Sequence, residues 1–264
     1  MIIDFHTHCF PDNIASGAVA SLAAKAGIPA MSDGTVEGIR SSMKAAGIDK
    51  SVVLSIATKP NQCGKITGWS SLVQDDGIIA FGSVHPDFEC WRDELARMKE
   101  AGLKGIKFHP DYQDFFADDK KMYAIYEKAA EMDFVIVFHA GVDIGFPEPY
   151  HCMPERMRRV VKAFPGAKFV AAHMGGYASW DDVERFLVGE DIFLDTSYSL
   201  HKMDREQFIR IVSQHGHEKI LFGTDSPWGD QSTELERLRN IGLPEDVRDA
   251  ILGGNAAKLL GLTC

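Results

Sequence analysis

At 264 residues, with 45% apolar and 25% charged side chains, the chain has the make-up of a globular protein with a sizeable core, which excludes disorder. A formal charge of -10 excludes non-specific polyanion binding, because affinity for nucleic acid rests on Lys and Arg neutralising phosphates. No segment approaches the ~20 apolar residues of a membrane span, so neither a nucleic acid nor a membrane is expected as a partner.

The chain opens on a short apolar strand, Met1 to Phe5, that runs into Asp4-Phe5-His6-Thr7-His8. Residues at i and i+2 of a strand share a face, with alpha carbons roughly 6.6 Å apart, so both imidazoles can reach one ion. Pro11-Asp12-Asn13 signals a turn, and an Ala-rich stretch to about Lys25 is expected to be helical. A second helix, from about Gly34 to Ala46, ends at Gly47 as a C′ glycine.

Further strands are expected at 51–56, 78–84, 105–109, 134–139, 168–173, 192–196 and 219–225. Periodic segments near 88–101, 118–132, 154–164, 179–188 and 203–215 supply helices between them, with a helical tail after Thr233. Strands that are apolar on both faces and alternate with helices argue for a parallel sheet covered by helices. Eight repeats, with no glycine-rich phosphate fingerprint after the first strand, favour closure into a (β/α)8 barrel of a single domain spanning 1–264.

The five cysteines are scattered without a CxxC pair, which points to a reduced, intracellular protein. Cys9 and Cys152 each adjoin a histidine, but a buried free thiol is the preferred reading for both. The first residues have neither a basic n-region nor an apolar h-region, so a cytoplasmic location is expected. Two-fold contacts between outer helices make a homodimer the expected assembly.

Barrel chemistry sits at the carboxyl ends of the strands. His6 and His8 close the first strand, His109 the fourth, His139 the fifth, His173 the sixth and Asp225 the eighth. Zn²⁺ favours neutral imidazoles plus a carboxylate, with one position open for water, and His6, His8, His139 and Asp225 supply such a shell. Mn²⁺ or another divalent ion is the alternative metal. His173 is then placed to hydrogen-bond the bound water or the substrate, and Asp225 to accept the water's proton. His109 is read as a substrate contact or as a turn cap at Pro110. Lys107 suits either a carbamylated lysine bridging two metals or, preferably, a buried structural lysine. Asp4 is expected one layer below the histidines, orienting them. Tyr112, Tyr177 and Trp228, with Phe115, Phe116, Phe146 and Tyr150, follow strand ends and suggest an apolar mouth for a small, ring-bearing substrate.

These motifs resemble the amidohydrolase superfamily, most closely the metal-dependent branch of amidohydrolase-related hydrolases and aminocarboxymuconate-semialdehyde-type decarboxylases. The matching pieces are Ile3 to His8, Gly105 to Pro110, His139-Ala140-Gly141, Ala172 to Gly176, Gly223 to Pro227 and Ile251 to Leu260. The resemblance implies a metal held by His6, His8, His139 and Asp225 and a catalytic or substrate-polarising His173. The chain is short for the decarboxylases, which implies trimmed loops over the pocket, and no arginine of the rim motifs clamps a carboxylate. The leading expectation is therefore a hydrolase whose metal-activated water attacks an ester, lactone or amide carbonyl. The alternatives are a non-oxidative decarboxylase of an aromatic or enoic acid and a non-catalytic metal-binding barrel.

Overall fold

The computed structural model describes residues 1–262. The first strand, β1 (Ile3–Thr7), is followed by two helices, α1 (Asp12–Ala26) and α2 (Val36–Ala46). Then come β2 (Lys50–Leu54), α3 (Cys63–Val73), β3 (Ile78–Phe81), α4 (Trp91–Glu100), β4 (Gly105–Phe108), α5 (Lys120–Glu131) and β5 (Val135–Phe138). The second half adds α6 (Pro154–Ala163), β6 (Phe169–Ala171), α7 (Trp180–Phe186), β7 (Phe193–Asp195), α8 (Arg205–His215), β8 (Ile220–Leu221) and α9 (Gln231–Asn240). Beyond α9 lie α10 (Glu245–Asp249), a π-helical turn (Ala250–Gly254) and α11 (Asn255–Leu260).

Local chemistry sets several helix ends. Thr35 Oγ1 accepts the Gly38 N–H at 2.8 Å to start α2, and Gly47, at φ +72°, ends it as expected. Aspartates 119, 204 and 230 cap α5, α8 and α9 in the same way. Among the described residues, no helix is long and apolar enough to cross a membrane.

All strand pairs are parallel, in the orders β1-β2-β3 and β4-β5-β6-β7-β8. Two isolated bridges join these sheets into a closed (β/α)8 barrel: Gly82 with Ile106, and Thr7 with Ser226. The Phe5 N–H also donates to the Phe222 carbonyl at 2.7 Å, sewing β1 to the end of β8. An apolar layer lies between strands and helices, with Phe108, Tyr126, Phe138 and Phe169 at its centre. A second cluster, including Phe5, Phe81, Val137 and Leu221, fills the barrel and is continued by Ala256, Ala257 and Leu260 of α11. Each such large side chain contributes about 1.5–3 kcal/mol of burial.

The expected strands are all present but end earlier than the apolar runs suggested. His139 follows β5 by one residue, His173 follows β6 by two, and Asp225 lies four beyond β8. These residues still hold backbone bonds to the barrel. The His139 N–H donates to Phe108 O at 3.0 Å and the Asp225 N–H to His6 O at 2.8 Å.

One irregularity overturns the expected place of Asp4. Along β1, Asp4 pairs with Ser51 and Thr7 with Val53, so three steps on β1 match two on β2. This bulge breaks the alternation between Asp4 and His6. Asp4 accepts the Thr224 N–H (3.0 Å) and the His6 backbone N–H (3.2 Å) at Oδ1, and Thr224 Oγ1–H (2.6 Å) and Gln231 Nε2–H (2.7 Å) at Oδ2. It therefore orients backbone and α9 rather than an imidazole ring.

Because both Asp4 oxygens meet two donors, an amide would turn its NH₂ against one of those pairs. Asp4→Asn is expected to cost about 2 kcal/mol, a melting-temperature fall of roughly 4–8 °C in a thermal denaturation scan. A second check uses acid. Burial alone would raise the Asp118 carboxyl, but hydrogen bonds from Arg156 (2.6 Å) and Arg159 (2.7 Å) outweigh it and hold the group below the usual aspartate value. The lowered folded value means a stabilisation present above the unfolded pKa of about 3.9 and lost as pH falls through the folded one. Asp118→Asn should melt below wild type at pH 7, and the gap should narrow in scans taken progressively below the ordinary aspartate range.

Candidate active site

His6 of β1 and His8, one residue beyond it, meet Asp225 at the carboxyl rim. The His8 Nδ1 lies 2.8 Å from the Leu54 carbonyl, which can only accept, so Nδ1 carries the proton and Nε2 presents a lone pair. The buried His6 is arranged alike, its Nδ1–H donating to Asp195 Oδ2 at 2.8 Å. Both Nε2 atoms face Asp225 Oδ1, at 3.1 Å from His8 and 3.4 Å from His6. Ligand atoms of all three residues lie within 4.8 Å of one another. Two lone pairs and a carboxylate oxygen repel unless a cation stands among them, and two imidazoles with one carboxylate are a donor set that a divalent metal accepts.

The backbone holds this arrangement under strain. Asp225 takes φ +67° and His173 φ +59°, conformations that cost non-glycine residues of order 1–3 kcal/mol each. Gly223 lets the segment after β8 pass beneath His6, since a Cβ there would stand 2.9 Å from His6 Cβ. Burial alone would raise the Asp225 carboxyl; positive charge on its imidazole side, first at His8 and then at His6 and His173, outweighs that and brings it down to about 2, and a cation in the same place acts in the same sense. Burial, assisted by Lys107, lowers His6 to about 3 and leaves its ring neutral at physiological pH.

Lys107 Nζ lies 3.4 Å from His6 Nε2, so this buried lysine touches the site itself. Burial brings its amine down to about 8, against the pull of Asp195 and Asp225.

His139 stands apart from the His6, His8 and Asp225 group. It gathers instead with His109 and Asp143, with ligand atoms again within 4.8 Å. His109 and His139 stack with ring centroids 4.1 Å apart, and Asp143 Oδ2 lies 3.2 Å from His109 Nε2 and 3.9 Å from His139 Nε2. His173 links the two groups. Its Nε2 is 3.0 Å from His139 Nδ1, its ring centroid is 5.3 Å from that of His6, and its Nδ1–H faces the Ser197 carbonyl at 3.0 Å.

The expected aromatic mouth is present in part. Tyr112 packs edge-on against His109 (4.6 Å) and Phe146 (4.7 Å), and the Lys25 ammonium of α1 lies 3.3 Å from the Phe146 ring centroid. Tyr177 lies 6.3 Å from the His173 ring and 5.9 Å from Tyr198. Trp228 is half-buried and donates its backbone N–H to Asp225 O at 2.8 Å. Phe115 turns into the core.

Sequence reasoning missed Asp195, Ser197 and Asp143. Asp195 is fully buried and accepts from His6 Nδ1–H, the His173 N–H (3.2 Å), the Ser197 N–H (3.1 Å) and Ser197 Oγ–H. Burial alone would raise its carboxyl, but the His6 imidazole with His173 and Ser197 outweighs that and holds it well below the usual range. A signal existed: a carboxylate ending the otherwise apolar run of β7. Asp143 carries no such mark, five residues past β5 in the loop that follows it.

A family model described as amidohydrolase matches residues 3–262. Comparison with curated proteins gives no match. Among solved structures, the chain is similar to 5-carboxyvanillate decarboxylase from Novosphingobium aromaticivorans, complexed with manganese and a nitrobenzoic acid (TM-score 0.78, 14% identity, 99% of this chain and 96% of that one). It is also similar to dihydroxybenzoic acid decarboxylase from Polaromonas, with bound manganese and 2-nitroresorcinol (TM-score 0.74, 15% identity, 98% and 96%). An uncharacterised TIM-barrel protein from Bordetella bronchiseptica gives a TM-score of 0.76 at 21% identity, over 98% of each chain. The hydrolase expectation is corrected on this finding, since both of these enzymes with a stated reaction are decarboxylases.

Asp195 fixes the His6 tautomer, so Asp195→Asn is expected to weaken Mn²⁺ binding by about 10–100-fold. Calorimetric titration of the chelator-stripped protein measures it, and an unchanged affinity would contradict the role.

Proposed function

The chain belongs to the amidohydrolase family, and we propose that within it the protein is a divalent-metal-dependent, non-oxidative decarboxylase of a small aromatic acid. The observation that carries the reading is the convergence of the His6 and His8 lone pairs on the ionised Asp225, beside rings that suit a flat substrate. The two decarboxylases of like fold support it. His6, His8 and Asp225 would hold the ion, Zn²⁺ or Mn²⁺. His139, which the resemblance also implies for that shell, has its Nδ1 3.0 Å from His173 Nε2 and its Nε2 without a hydrogen-bond partner among the described residues. When bound, the metal supplies a Lewis acid that polarises substrate oxygens.

The protein's own groups handle the proton. The substrate enters as its carboxylate, and a proton drawn from solvent water is passed by Asp225 to the ring carbon. The bond from that carbon to the carboxylate breaks as CO₂ leaves, so carboxylate plus one proton equals product plus CO₂. His173 faces the same space and is steadied by Ser197 and His139, so its ring borders the reacting carbon without swinging. Tyr112 and His109 on one side, and Tyr177 on the other, border a flat ring and exclude water.

Release of labelled CO₂ from carboxyl-labelled hydroxybenzoic acids by Mn²⁺- or Zn²⁺-loaded protein, abolished by chelator, is the expected result. Asp225→Asn should lower that rate by at least 100-fold. Turnover of lactones or amides with no CO₂ from any aromatic acid would overturn the proposal.

A further inference from the structure

Nothing in the reaction above engages the far side of the substrate ring, away from the carboxylate being lost. On that part of the mouth a row of rings runs from His173 to Tyr177 (6.3 Å between centroids), Tyr198 (5.9 Å) and, edge-on, His201 (4.6 Å), the last two in the loop after β7. Glu234 of α9 stands next to His201, with its side chain only 3% exposed. We propose that Glu234 and His201 form a specificity subsite for a hydroxyl group on the substrate ring, an assignment that rests on the decarboxylase reading.

Two buried atoms here lack a hydrogen-bond partner among the described residues, His201 Nδ1 and Glu234 Oε2. The two side chains approach each other most closely at His201 Nδ1 and Glu234 Oε1, 4.0 Å apart, which is too long for a direct bond. An oxygen held at about 2.8 Å from each side chain bridges such a gap with two ordinary hydrogen bonds. Glu234 is the fixed half, since the Arg237 guanidinium donates to its Oε1. His201 is the half that gives, because its side chain is 20% exposed and its ring turns to admit the substituent. Tyr198 joins this pair to the reacting end. It takes φ +50°, a strained conformation for a tyrosine, and burial, then Tyr177, Asp225 and Glu234, raise its phenol, which stays protonated beside both carboxylates.

The chemistry of the pair selects the group. Burial raises the Glu234 carboxyl, Arg237 opposes, and Asp230 and Asp225 push the same way as burial, so a hydrogen-bond donor at Oε2 is favoured and a further anion is not. Burial, with Arg237 and Lys202, lowers the His201 imidazole and keeps its ring neutral. The carboxylate 4.0 Å from Nδ1 favours the proton on that nitrogen. A hydroxyl then donates to Glu234 Oε2 and accepts from His201 Nδ1–H. A methoxy group fills the same space with no proton to give, and a second carboxylate meets Glu234 as like charge.

The test is equilibrium binding by calorimetry to the full-length, Mn²⁺-loaded protein, using benzoate, 3- and 4-hydroxybenzoate, their methyl ethers, and isophthalate and terephthalate. Wild type should bind one hydroxybenzoate isomer about 10-fold tighter than its methyl ether and than the matching dicarboxylate, the ratio a hydrogen bond to a charged group supplies. Glu234→Gln turns its carbonyl to Arg237 and its NH₂ toward the substituent, a donor in place of an acceptor, and should bring hydroxyl and methoxy to within about 2-fold. His201→Phe, which keeps the edge-on packing against Tyr198, should remove about 5-fold of the preference for hydroxybenzoate over benzoate. No binding of any benzoate, equal affinity for hydroxyl and methoxy in wild type, or wild-type preferences in either variant overturns the subsite. If Glu234→Gln fails to fold by circular dichroism, His201→Phe decides. CO₂ release, assayed separately, keeps the two readings apart: a hydroxyl preference that Glu234→Gln abolishes, in a protein releasing no CO₂, leaves the subsite and removes the decarboxylase, and CO₂ release without that preference does the reverse.

Discussion

The whole rim depends on how a single buried carboxylate, Asp4, is held. Its two oxygens take four donors from three segments: the β1 backbone at His6, the loop after β8 at Thr224, and Gln231 at the start of α9. Those bonds, with the Phe5 N–H to Phe222 O and the Asp225 N–H to His6 O, close the barrel between its first and last strands. Closure is what brings His6 and Asp225, 219 positions apart in the numbering, to 3.4 Å. A carboxylate is the side chain able to take four donors with no N–H of its own to place, so the closure is chemically selective as well as tight.

Around that seam the rim is built from groups that repel one another. Neutral imidazole lone pairs point at ionised carboxylates in two places, and His173 and Asp225 sit in left-handed backbone conformations. Such features raise the energy of the folded chain, and the apolar layers on both sides of the sheet offset them. A cation relieves the repulsion. The same low-dielectric setting that makes the bare rim costly strengthens binding of an ion and holds Asp225 ionised, ready to accept a proton.

The two histidine groups are coupled through His173. Its contacts with Ser197, itself bonded to Asp195 beside His6, and with His139 join the groups by hydrogen bonds. Tautomer choice therefore propagates along the rim, because each ring that donates at Nδ1 must present a lone pair at Nε2. Leu54 O and Asp195 fix this for the first group, and Ser197 O fixes it for the second.

Much of this architecture was legible in the chain. Apolar runs spaced between helical segments mark eight parallel strands, since burial on both faces leaves no alternation, and His6, His8, His173 and Asp225 stand near the strand ends where barrel loops converge. Lys107 showed as a buried lysine, though its contact with His6 did not. What local pattern could not show was a one-residue bulge, which sends Asp4 toward α9 instead of beneath the imidazoles. Nor could it show that His139 pairs with His173 and stacks on His109, or that Asp195 and Asp143 face those rings. The sequence by itself determined the strand count, the closed parallel sheet and the histidine and aspartate donors. The tertiary structure alone decided which donors come together, because that rests on side-chain directions and proton positions set by groups as far away along the chain as the 189 residues between His6 and Asp195.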